Sequence, residues 1–188
     1  MADIIPTAGD YFRPHRSPWG NFPVRGMPIS TGISSAIIYL GAVVGLDVNT
    51  STLGDCIIPS SMTSNTIIST AIVGIAAEAT NAISSTNVAR TVIPVWEANP
   101  LIEFRGRTRN GVLASTLVGS ARDILWDSTL KIQLINAGAS SFAATPVRVI
   151  CTELIDAVGD SGGAVAFRFV ALDVTSSVST AHILAFYR

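Results

Sequence analysis

Alternation with a period of two is the feature that most narrows what this chain can fold into. Between Leu101 and Arg107, Glu103, Arg105 and Arg107 share one side while Ile102 and Phe104 share the other, the pattern of a half-buried strand. Leu130, Ile132 and Leu134 alternate with Lys131 and Gln133. Val147, Val149 and Cys151 alternate with Arg148 and Ile150, and Val165, Phe167 and Phe169 with Ala166 and Arg168. Gly, Ser and Asn turns separate these segments, and no strand-helix repeat connects them. The pattern predicts an all-β fold, an antiparallel barrel or sandwich.

Other segments are apolar on both faces. Ala36 to Leu46 is rich in Ile, Val, Tyr and Leu, and Gly41 and Gly45 within it suit a buried strand with close packing or a bend. Asp47 to Thr52 reads as a turn, Gly54 to Ile58 as a short strand before Pro59, and Thr66 to Ala79 as a β-branched strand. Ala181 to Tyr187 reads as a covered strand. Only Ser120 to Trp126 and Glu78 to Ile83 suggest short helices.

The first 28 residues hold five of the nine prolines, interleaved with Tyr11, Phe12, Trp19 and Phe22. Proline has no N–H to give a ladder, so an extended Pro-rich N-terminal arm is expected over residues 1–35, followed by a β-rich domain over 36–188. Disordered tails are poor in aromatics. The arm is therefore expected to dock, on its own domain, a neighbouring subunit or a larger assembly, and to be removable up to Pro28 without unfolding the domain.

A chain of 188 residues is long enough for one real core. Its surface is the difficulty. Charged residues are 13% and hydrophobic residues 48%, against about 25% charged in a typical domain, so much of the surface is expected to be buried in partners. A net charge of −1 argues against nucleic acid or anionic lipid as a partner. Lys131 is the only lysine; the other eleven basic residues are arginines, whose planar forks suit fixed contacts. Mean hydropathy is +0.49, but the charge-free runs Gly26 to Leu46 and Ile57 to Ala77 are broken by polar residues, Gly or Pro, and no membrane span is expected. The opening residues carry Asp3 and no basic segment, unlike a secretory signal. Cys56 and Cys151 could pair, though buried free thiols are expected in such a chain.

Gly159-Asp160-Ser161-Gly162-Gly163 resembles the nucleophile loop of chymotrypsin-like serine proteases, where a histidine and an aspartate activate the serine. Only His15 precedes it, in the Pro-rich segment, and His182 follows it in the wrong order. A connection between the alternating strands Val147 to Leu154 and Ala164 to Ala171 accounts for the motif better, leaving a Ser161 hydrolase as a remote alternative. Two distant histidines, two cysteines and no close carboxylate pair match no metal-ligand spacing, and no nucleotide-binding motif is present. No metal or cofactor is expected. Trp96-Glu97 and Trp126-Asp127 could serve a sugar, but single Trp residues in β domains are usually core or interface anchors. Arg105, Arg107 and Arg109 make the densest basic spot, with Glu97, Glu103 and Asp123 available for ion pairs between subunits.

A family resemblance rests on Val73-Gly74-Ile75-Ala76-Ala77-Glu78, on Ile93-Pro94-Val95-Trp96 with Asn99-Pro100 and Glu103-Phe104, on Val118-Gly119 with Arg122-Asp123, and on Gly163 to Phe169. Over roughly Ile68 to Val170 these residues resemble the capsid decoration, or head cement, proteins of tailed bacteriophages of the lambda head-decoration type. The resemblance implies a β-tulip-like domain, usually a homotrimer, with no catalysis. It also implies binding to the major capsid protein on the outer surface of the virion, after synthesis in the host cytoplasm. The alternative is another all-β virion protein, a head fibre base or minor coat component. Expected contact residues are Tyr11, Phe12, Arg13, Arg16, Trp19 and Phe22 of the arm, with Arg105, Arg107 and Arg109.

Overall fold

A computed structural model describes residues 3–29, 37–46, 56–57, 72–79, 92–138 and 148–169. The regular structure of the described chain is almost entirely strand: β1 (Arg13–Arg16), β2 (Val24–Pro28), β3 (Val43–Leu46), β4 (Cys56–Ile57), β5 (Ile72–Ala76), β6 (Val92–Glu97), β7 (Glu103–Arg109), β8 (Ala121–Asp127), β9 (Ile132–Asn136), β10 (Arg148–Leu154) and β11 (Ala164–Phe169). One 3₁₀ turn, Ser115–Leu117, interrupts it. The strands expected near Lys131, Arg148 and Phe167 are all present. The expected strand Ala181 to Tyr187 lies outside the described residues, as does most of the expected helix Glu78 to Ile83.

Two sheets form. One has the order β1-β7-β11-β10-β8-β9, and a second pairing, β7 with β9, closes it into a five-stranded barrel. That closing ladder is the one parallel ladder between the named strands, and it is short: Thr108 sits opposite Ile135 and Arg109 opposite Asn136. The other sheet is antiparallel, in the order β2-β6-β5-β3-β4. The described chain crosses between sheets twice along the same seam. β6 leads into β7 through the Asn99-Pro100 turn, and β1 leads into β2 alongside it, paired with β7 and β6 respectively.

This pairing corrects the expectation that the prolines keep the N-terminal segment out of ladders. Pro14 lies opposite Phe104 and Pro28 opposite Val92. Both strands are at sheet margins, where a missing N–H is tolerated, and β1 bulges between Pro14 and Arg16. The helix expected at Ser120 to Trp126 is also corrected. It is β8, hydrogen-bonded to β10 on one edge and β9 on the other. Seven residues cannot sustain a helix alone, whereas as a strand Ala121 to Asp123 gain a ladder with β10 and Ile124 to Asp127 one with β9.

The main core fills the barrel and reaches the inner face of the second sheet. It joins Phe104, Phe167, Phe169, Val149, Cys151 and Leu113 to Val43, Ile72 and Ile75, and it includes Phe12 from the N-terminal segment. The Phe12 and Phe167 rings meet edge to face with centroids 4.8 Å apart, a favoured aromatic geometry. Gly106 makes room for Phe12: a Cβ there would lie 2.4 Å from its ring. Met27, Ile29, Val44, Val73, Ile93 and Val95 make a second buried cluster on the other face of the second sheet. Burial on both faces explains why β5, IVGIA, is apolar throughout. Gln133, buried in β9, accepts a hydrogen bond from the N–H of Val43 in β3 at 2.9 Å, a polar pin between barrel and sheet. Among the described residues no helix is long and apolar enough to cross a membrane.

Candidate functional site

The Gly159 to Gly163 loop connects β10 to β11, which pair as expected. Its backbone holds the start of the chain. Ser161 bridges both Asp3 and Val112, and its carbonyl accepts from the N–H of Ile4 at 2.9 Å. The Gly159 N–H donates to Leu113 O, while Leu113 N–H donates to Asp160 O. Gly162 has φ +67°, and a Cβ there would come within 2.1 Å of the Ile4 carbonyl oxygen. The glycines thus permit a close approach of two backbones. Ser161 Oγ makes no hydrogen bond among the described residues, and His15 instead faces Glu153, 3.8 Å away. His182 lies outside the described residues.

The arginine face of β7 is divided among partners within the chain. Arg107 reaches Asp10 at 3.0 Å and Asp156 at 2.5 Å, and Arg109 pairs with Asp127. Burial raises the Asp10 pKa, but the Thr7 N–H, Arg107 and the Thr7 hydroxyl outweigh it and hold the carboxyl below its ordinary value. Asp127 is lowered chiefly by the Leu130 N–H, with Thr129 and Arg109 adding to it against burial. Glu103, expected to pair between subunits, receives Arg168 at 2.8 Å and Arg16 at 3.5 Å from its own chain. Arg105, half-buried, has no ion pair among the described residues.

The six N-terminal candidates separate in the same way. Phe12 is core, and Phe22 packs against the core. Tyr11 is half-buried, its Cβ only 2.6 Å from where a Cβ on Gly41 would be. Arg16 is tied to Glu103 and Glu153. Arg13 and Trp19 are exposed, as is Arg16. Trp96 packs against the core from a half-buried position, and Trp126 stacks at a tilt on Tyr39 with centroids 5.7 Å apart. Cys151 is a free, buried thiol; the side chain of Cys56 lies outside the described residues.

Exposed large apolar residues concentrate in two places. The first is one face of the β2–β6 ribbon, where Val24, Gly26 and Pro28 lie opposite Trp96, Pro94 and Val92. Val24 is 54% and Val92 58% exposed, and the connectors feeding these strands add Trp19 at 55% and Leu101 at 53%. β2 is also the edge strand of its sheet. The second group, Ile5, Val112 and Val158, surrounds the Ser161 loop.

One further constellation lies on the outside of the barrel. His15 of β1, Glu103 of β7 and Glu153 of β10 each offer a ligand atom within 4.8 Å of the others. Both His15 Nε2 and Glu103 Oε2 are buried atoms with no hydrogen-bond partner among the described residues.

No family model, curated protein or solved structure matches the chain.

The apolar ribbon and the His-Glu-Glu group both escaped sequence reading. The ribbon could have been suspected from Val24, Pro28, Val92 and Pro94 had the pairing of β2 with β6 been known. The expectation of no metal-ligand set rested on spacing along the chain, and the His-Glu-Glu group assembles only through three strands distant in sequence.

Proposed function

We propose that this chain is a structural virion protein that binds the outer surface of a tailed-phage capsid and stabilises it as a cement or decoration protein. The observation that carries the reading is the exposed apolar face of the β2–β6 ribbon with Trp19 and Leu101 beside it. A low-charge monomer gains by covering such a face, and about 25 cal/mol per Å² of apolar area removed from water makes a modest patch sufficient when it recurs over a lattice. Having a second apolar group around the Ser161 loop suits a protein that contacts both its own copies and a capsid. The family resemblance spans β5 to β11 and so includes β6 and its turn into the barrel.

The reading is tested by light scattering and by co-sedimentation with purified phage heads. Self-association, with saturable binding to heads at many copies per particle, is expected. A clean monomer at micromolar concentration that leaves heads undecorated would end the proposal. Electron microscopy of decorated heads then shows copies on symmetry positions; a few copies at one site would instead make this a minor coat or fibre-base component.

A further inference from the structure

We infer that His15, Glu103 and Glu153 form a binding site for a divalent d-block cation, represented by Zn²⁺, that ties the N-terminal strand to the outside of the barrel. The inference does not depend on the capsid reading.

Two β-bulges aim the ligands. In β10, Cys151 points into the core, and strict alternation would send Glu153 inward with it; the bulge between Cys151 and Glu153 turns the glutamate outward. In β1, the bulge between Pro14 and Arg16 makes His15 the extra residue, so that both His15 and Arg16 oppose Glu103. Bulges re-aim side chains and concentrate beside functional sites. The third ligand, Glu103, is held firmly: its side chain is only 5% exposed, and Arg168 fixes Oε1 at 2.8 Å while Oε2 has no hydrogen bond. A buried carboxylate oxygen and a buried imidazole nitrogen, both without hydrogen bonds, are the atoms a metal takes.

The donor set selects the class of cation. One imidazole nitrogen and two carboxylate oxygens suit Zn²⁺ and its d-block neighbours, whereas Ca²⁺ and Mg²⁺ favour oxygen alone. Bonds of about 2.0–2.2 Å in tetrahedral geometry place ligand atoms roughly 3.3 Å apart. The three atoms, now within 4.8 Å, reach that spacing by rotation of the partly exposed His15 and Glu153 side chains, with water as the fourth ligand. Arg16 is the competitor. Its guanidinium lies 3.5 Å from Glu103 and 3.1 Å from Glu153 and is 63% exposed, so it can swing into solvent when a cation replaces it.

The test is isothermal titration of the full chain with Zn²⁺ in a chelator-free buffer at neutral pH, alongside thermal melts with and without Zn²⁺. One saturable site per chain and a Zn²⁺-dependent rise in melting temperature are expected. H15A and E153Q, both at solvent-accessible positions, should each weaken binding at least tenfold while circular dichroism stays native. R16A should bind more tightly than the parent, because a competing cation has gone. An ion-pair network without a metal role predicts no saturable site. That result, or unchanged Zn²⁺ affinity in folded H15A and E153Q, overturns the inference, as does loss of binding in R16A.

Discussion

At the scale of single residues, burial and local hydrogen bonds set the chemistry. Burial pushes the Cys151 thiol up to about 11, against a smaller opposing pull from Arg122. The thiolate is the reactive form, so Cys151 should resist iodoacetamide at pH 8.5 in the native protein and react fully in denaturant, followed by peptide mass spectrometry. Asp10 and Asp127 show the opposite tendency. Both have folded pKa values below the ordinary 3.8, so the stability they contribute is complete above that value and is lost as pH falls below it, through the folded pKa values. Thermal melts should therefore show a fall below about pH 4 that is smaller in D127N than in the parent. Gly162 is a different kind of constraint, since its positive φ and the contact with Ile4 leave no space for a Cβ. G162A should cost about 1–3 kcal/mol and speed hydrogen exchange at the Ile4 amide.

At the scale of elements, the N-terminal segment has the largest change in meaning. Its composition suggests a removable arm, yet it supplies edge strands to both sheets and places Phe12 in the core against Phe167, the ring that also meets Phe104 and Phe169. F12A should cost about 3–5 kcal/mol in chemical denaturation. Removal of Met1 to Pro28, first expected to leave a folded domain, should now give a protein that lacks a cooperative transition; a truncated protein that melts like the parent would show the segment to be dispensable. The link between β3 and β9 is testable in the same way. Q133L leaves the Val43 N–H buried without an acceptor and should cost about 1–3 kcal/mol while preserving both sheets by circular dichroism.

At the scale of the whole molecule, two sheets share one core and leave an apolar ribbon outside it. V24D with V92D changes exposed side chains only, so the melting temperature should move little while self-association or head binding is lost; unchanged assembly would exclude the ribbon as a contact. Much of the architecture was legible in the sequence. Alternation around Phe104, Val149 and Phe167 specified strands and their core-facing side chains, because side chains alternate across a pleated sheet whatever its partners; at Leu134 it specified the strand but not its faces, since β9 is buried throughout and Gln133 with it. β-Branched apolar residues marked β5 as a strand, and turn residues marked the connection at Gly159 to Gly163. Alternation is a local property, however, and says nothing about which strands become neighbours. Barrel closure through the β7–β9 ladder, the seating of Phe12, the sharing of Arg107 between Asp10 and Asp156, and the meeting of His15 with Glu103 and Glu153 were decided only by the tertiary structure. Each depends on long-range register, and at Glu153 on a bulge that reverses the direction the side chain would otherwise take.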